Sequence, residues 1–166
     1  MFREMRRKKQ KLSKERSIEI LKKRTSGVLS VIGDDEYPYT IPMSYVYSNN
    51  KIYFHSALKG HKIDAIKRNN KVSFCVIDKD EIISQEFTTY FRSVIVFGKI
   101  EIIDSETIKR EAINKIVDKY SSLESQESKD NEITKEWKAL CLLQLNIEHI
   151  SGKEAIELVR LNKENI

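Results

Sequence analysis

The period of the apolar residues changes near the start of this chain, and that change most constrains what it can fold into. Residues 13–24 read as a helix. From Val28 onward apolar and polar residues alternate, as they do in strands with one face buried. Ser13 can cap the helix. Glu15 and Glu19 lie towards its start and Lys22, Lys23 and Arg24 towards its end, as the helix dipole favours. Gly27 follows, where a reversal of the chain is cheap.

The strand pattern then continues in short pieces. Val28 to Ile32 reads as a strand, 33–36 as a hairpin turn, and Tyr39 to Tyr47 as the return strand. Pro42 cannot donate a ladder hydrogen bond, so it marks an edge or a bulge. After a turn at 48–50, Lys51 to Ser56 is a third strand, followed by a short helix from Gly60 to Arg68. Val72 to Ile77 is a fourth strand, 78–88 a polar mobile connection, and Tyr90 to Ile103 a fifth strand that can bend at Gly98. A helix from Ser105 to Tyr120 precedes a loop over 121–131 and a helical turn near Trp137. Cys141 to Ile150 is the last strand. Most strands join through hairpin-length turns, so the sheet is antiparallel. Six strands with few edge devices can close into a barrel, with the helices outside.

The length fits one domain, 1–166. Cys75 and Cys141 sit in apolar runs and read as buried thiols. No apolar run approaches the roughly 18 residues of a membrane span, and the basic N-terminus has no signal-peptide core, so the expected compartment is the cytoplasm. The net charge of +5 is uneven. Residues 1–24 hold 11 basic and 3 acidic residues, whereas the remainder is net acidic. The arm at 1–24 can attract an acidic surface. Without interleaved aromatic or glycine residues, however, it reads as a solvated extension and disfavours nucleic acid as a partner.

No nucleotide-binding glycine loop, zinc spacing or nucleophile elbow is present, and no metal site is expected. The segment His55-Ser56-Ala57-Leu58-Lys59-Gly60-His61-Lys62 leaves a strand through small residues and enters a helix. That arrangement offers backbone N–H groups, a hydroxyl and a lysine to an anion. It fits a phosphate site, and equally a surface turn with a capping serine. Around Pro42, backbone groups freed from the ladder and the side chains of Met43 and Tyr45 could meet a planar heterocycle; an aromatic-rich edge strand is the plain alternative.

Taken in order, several stretches resemble the FMN-binding split-barrel superfamily, the pyridoxamine 5′-phosphate oxidase-like proteins. They are Met5-Arg6-Arg7, Gly27, Tyr37-Pro38-Tyr39 through Tyr45, Ile52 to Ala57 with Gly60-His61-Lys62, Ser93 to Gly98, and Ile150 to Lys153. The branch most resembled contains 5-nitroimidazole-resistance proteins. The resemblance implies a mainly β fold, a six-stranded antiparallel split β-barrel, paired as a homodimer with FMN at the subunit interface. By motif, Pro42, Met43, Ser44 and Tyr45 would line the ring and ribityl chain. His55, Ser56, Ala57, Gly60, His61 and Lys62 would surround the ribityl and phosphate. The partner subunit would contribute Ser93 and Val94, and Ser151, Gly152 and Lys153 would close the site. His55 is the candidate proton donor.

The implied activity is electron or hydride transfer from a reduced nicotinamide to an electron-poor small molecule of nitroimidazole or nitroaromatic type. A non-catalytic flavin-binding or sensing protein is the alternative. Pyridoxamine phosphate oxidase-like activity is a second one, weakened because the basic phosphate clusters of those enzymes are not evident here.

Overall fold

The computed structural model describes residues 1–164, with side chains through Leu161, so the last two residues of the expected domain lie outside it. Helix α1 (Lys14–Lys23) starts as its cap residue dictates: the Ser13 hydroxyl accepts from Arg16 N–H at 3.1 Å. Its buried face carries Ile20 and Leu21. Strand β1 (Ser26–Ile32) pairs with β2 (Pro38–Ser44) around a single 3-10 turn at Asp34–Glu36. Gly27 lies within β1 rather than in a reversal. A Cβ there would stand 2.7 Å from the Cys75 carbonyl oxygen, so the position needs glycine for close packing.

The expected return strand is two strands. β2 ends at Ser44, and β3 (Val46–Ser48) begins after Tyr45 and pairs with β4 (Lys51–Ala57). Helix α2 (His61–Arg68) leads to β5 (Lys71–Ile83) and β6 (Thr88–Ile102). The stretch read as a mobile connection is an extension of this hairpin, with Asp80 to Ile83 laddered to Thr88 to Phe91. Helices α3 (Glu106–Tyr120) and α4 (Gln126–Glu136) follow, the second lying largely where a loop was expected. Strand β7 (Leu140–Glu154) runs past its expected end, and α5 (Ile156–Glu164) follows it.

These strands form one seven-stranded antiparallel sheet in the order β2-β1-β5-β6-β7-β4-β3. The expected mainly β, six-stranded barrel is therefore corrected on two counts. The fold is mixed α/β with peripheral helices, and the sheet is open. Its two edges, β2 and β3, are consecutive in the chain, yet no ladder joins them. The backbone groups of the one linking residue, Tyr45, are satisfied by α3 instead of by a strand. Tyr45 N–H donates to the Tyr120 hydroxyl at 2.8 Å, and the Tyr45 carbonyl accepts from Lys119 Nζ at 3.1 Å.

Alternation along the strands builds two cores. Ile52 and Phe54 of β4, with Leu143 and Leu145 of β7, face one that also holds Phe74 and Leu29. Tyr53 and Leu142 point the other way, onto Ala112, Ile113 and Ile116 of α3 and Ile133 of α4. The basic arm is not a free extension. Leu12 N–H donates to the Gly152 carbonyl at 3.0 Å, and the Phe2 ring stacks on His149 with centroids 4.8 Å apart. No helix among the described residues is long and apolar enough to cross a membrane.

Ion pairs lock α1 to the irregular point of β5. Asp78 receives Arg24 Nε at 2.7 Å and Arg92 Nη1 at 3.1 Å, and Arg92 Nε reaches Glu154 at 2.9 Å. Burial pushes the Asp78 carboxyl up, but hydrogen bonds from Arg24 and Arg92 outweigh it and hold the group below its ordinary value. The Asp78 side chain is 7% exposed, so removing it takes the carboxylate from Arg24 and leaves Arg92 with Glu154 alone. Asp78→Ala is expected to lose about 3 kcal/mol in urea unfolding, the low end for a broken buried pair because Arg24 is half exposed. A depressed folded-state pKa gives stability that is present above about pH 4 and lost as pH falls through the folded value. The acid limb of the wild-type stability curve should therefore be steeper than that of the variant.

Candidate functional site

Helix α2 differs at its start from α1, α3 and α4. Those three begin on Ser13, Ser105 and Ser125, each with its hydroxyl accepting a backbone N–H of the first turn. Helix α2 begins on Gly60, at φ 127° and ψ 166°, and has no side-chain cap. That conformation is essentially confined to glycine. Gly60 also lends its carbonyl to the N–H groups of Ile63 and Asp64. The first N–H groups of α2 thus emerge at the end of β4 with no side chain over them, where a helix favours an anion.

Lys62 stands on this first turn. It is half-buried, its Nζ lies 3.3 Å from the Met43 sulfur, and among the described residues it has no carboxylate partner. Burial accordingly pushes its amine below the ordinary lysine value. His61 is turned away from it, stacked on Tyr39 at 4.3 Å and 3.4 Å from an Asp34 oxygen. Ser56 is half-buried and Ala57 exposed at the end of β4, opposite Cys141 and Leu140.

Pro42 lies exposed on the edge strand β2, as its missing N–H requires. Met43 is buried beside Lys62, whereas Ser44 is exposed. Tyr45 is fully buried and its hydroxyl has no partner, so its ring belongs to the core and only its backbone borders the site. His55 is exposed on β4. Partial burial, and then the Lys62 charge, push its imidazole below the ordinary value, so it carries a proton less often than a free histidine.

Ser44 and His55 share a cleft of about 340 Å³ with α3 and α4. The α4 part of this wall was missed, because its segment carries Ile133 as its one buried residue; the capping Ser125 was the available signal. Lys119 and Tyr120, at the end of α3, were also missed as the residues that fix Tyr45. Burial pushes the Lys119 amine down to about 8. A larger cavity of about 700 Å³ lies between Lys11, Lys14 and β7, and none of the expected site residues lines it.

The remaining expected residues form a second group. Ser93 pairs with Lys153 and Val94 with Gly152. Val94 and Gly152 are buried, and a Cβ at 152 would press on Leu12, 2.9 Å away. Ser93, Ser151 and Lys153 are half-buried, and the Lys153 ammonium lies 5.2 Å from the Phe91 ring centre. His55 pairs with Leu142, ten residues before Gly152. Along an extended strand that is about 33 Å, so one chain does not bring the two groups together. No cluster of metal-binding side chains is found among the described residues.

The family profile described as pyridoxamine 5′-phosphate oxidase matches residues 13–154. No curated protein matches the chain. Among solved structures, it resembles a candidate 5-nitroimidazole antibiotic resistance protein of Bacteroides thetaiotaomicron at 23% identity, covering 87% of this chain and 86% of that one, with a TM-score of 0.72. A conserved hypothetical protein of Mycobacterium tuberculosis matches at 18% identity, covering 91% and 90%, with a TM-score of 0.77. An FAD-binding protein of Mesorhizobium loti matches at 23%, covering 87% and 96%, with a TM-score of 0.64. Identities this low speak for a shared fold.

The start of α2 is testable apart from any ligand. Open space surrounds a Cβ at residue 60, so Gly60→Ala meets backbone strain rather than a clash. It is expected to cost about 2 kcal/mol, read by thermal unfolding.

Proposed function

This chain belongs to the pyridoxamine 5′-phosphate oxidase family, and from that membership we propose that it binds FMN between two copies of itself and passes electrons from a reduced nicotinamide to an electron-poor nitroimidazole- or nitroaromatic-like molecule. The observation that carries the reading is Lys62, a half-buried amine without an acid partner on the uncapped first turn of α2. A phosphate monoester there would supply the missing counter-charge and accept from the free N–H groups. The residues present fit such a group. Gly60 and Ala57 leave the approach open, and Met43 offers a polarizable contact beside it.

Bound flavin supplies hydride and electron transfer. The chain's own residues orient it. Lys62 holds the phosphate, Ser56 and the first turn of α2 border the ribityl chain, and the backbone of Met43 to Tyr45 borders the ring. The FAD-binding relative supports a flavin in general; FMN is preferred because the sequence offers one phosphate anchor, at 55–62.

Two features support pairing. Of the second residue group, Val94 and Gly152 are buried in their own chain, and the half-buried Ser93, Ser151 and Lys153 complete the site only if they come from another copy. The outer face of the sheet around it exposes Ile77, Ile95 and Phe97 on paired strands. Such a patch is what a self-complementary interface covers.

The purified protein is expected to be yellow, to release FMN on denaturation, and to bleach with a reduced nicotinamide. A colourless protein that takes up no added flavin would sink the proposal. Lys62→Ala is expected to weaken FMN binding by about 1.5–3 kcal/mol, the scale of a charge-assisted hydrogen bond, measured by fluorescence titration. Ile95→Glu, at the centre of the exposed face, should halve the mass in sedimentation and release flavin. A monomeric wild type that holds flavin would remove the interface from the reading.

A further inference from the structure

We propose that the cleft between α3, α4 and the end of β4 binds a small aromatic molecule carrying no negative charge. That this molecule is the electron acceptor rests on the flavin reading above. The cleft is distinct from the phosphate anchor. It opens on the other face of β4, where Tyr53 and His55 point, and joins the anchor region only through Ser44 and His55.

Its size selects the ligand first. About 150 Å³ holds one benzene ring, so about 340 Å³ takes a substituted ring or a small fused pair. The floor is apolar: Ile113, Ile116 and Val117 from α3, Ile133 from α4 and Leu140 where β7 begins. Ile113, Ile116 and Ile133 are buried in the second core, so packing elsewhere holds this floor in place.

Charge selects next. The charged side chains lining the cleft, His55 apart, are Glu132 and Glu136. Lys135 lies 3.4 Å from the first and 3.7 Å from the second, and divides one positive charge between two carboxylates. Lys62, whose charge reaches His55, is matched to phosphate in the reading above. An anion would have to shed water onto an apolar floor while facing a net negative rim. A neutral or cationic ring would not. Ser44 and His55 remain to hydrogen-bond its polar end. This disfavours a phosphate ester such as pyridoxamine phosphate in the cleft, and favours a neutral nitroheterocycle.

Three nitroaromatics of similar shape separate charge from size: 4-nitrobenzyl alcohol, 4-nitrobenzylamine and 4-nitrobenzoate. Calorimetric titration at pH 7, on protein with and without flavin, is expected to find the alcohol and the amine bound about tenfold more tightly than the benzoate. Val117→Trp fills the cleft and should weaken binding of the alcohol and the amine. The double variant Glu132→Lys/Glu136→Lys should reverse the order of amine and benzoate. Those two glutamates are exposed, so this variant decides alone if Val117→Trp unfolds. Equal binding of the three probes, no binding of any, or an order the double variant leaves unchanged overturns the proposal. Flavin absorbance is read separately. Colourless protein with the expected order keeps the cleft and removes the flavin reading. Yellow protein without that order removes the cleft alone.

Discussion

The backbone of Tyr45 has no strand beside it, and the arrangement of the proposed site follows from how its polar groups are satisfied. An unpaired N–H and C=O at this buried position would cost about as much as lost hydrogen bonds. The end of α3 supplies the partners. Tyr120 accepts the Tyr45 N–H and lies within donating reach of the Thr25 and Tyr45 carbonyls, while Lys119 spans the carbonyls of Arg24 and Tyr45. Two side chains thus fasten the α1–β1 junction and the β2–β3 junction to one helix end. Only Tyr45 separates β2 from β3, too short a link for a hairpin, so the chain turns there from one edge of the sheet to the other with no ladder between them. Ser44, the last residue of β2, is exposed there and shares a cleft with His55.

That fastening was not legible in the sequence. Tyr120 stood out as one member of the apolar stripe of α3, and nothing in its spacing says that its hydroxyl serves a residue 75 positions earlier. What was legible was local. Ser13 marks the start of α1, alternation marks β1, β2 and β4, Pro42 marks an edge, and the strand-to-helix passage at 55–62 marks the start of α2. Each of these depends on a period or a residue with a restricted backbone.

The misreadings share a physical cause. Helix α4 has little apolar face of its own; Ile133 anchors it, and ion pairs from Arg110 to Asp130 and from Lys129 to Asp118 tie it to α3. The β5–β6 extension is polar because its residues are largely outside the cores, so ladder pairing alone defines it. Barrel closure failed as an expectation because alternation specifies which face is buried, not whether the last edge finds the first. The last strand was ended at Ile150, whereas β7 runs on to Glu154 past Gly152, where Leu12 packs against the strand.

The two groups of expected site residues clarify why a second copy enters the functional reading. They lie beside the two ends of β7, and β7 is a rigid spacer, laddered to β4 over Leu140–Asn146 and to β6 over Leu143–Glu154. A hinge cannot bring its ends together without breaking both ladders. A twofold axis through the exposed face of β5 and β6 would set one end of a protomer's β7 group near the other end of its partner's, and it would bury Ile77 and Ile95 in the same step. In the proposed reading cofactor binding and pairing would draw on one surface: the apolar patch would drive association, and Lys62 would meet the charge that association helps to enclose.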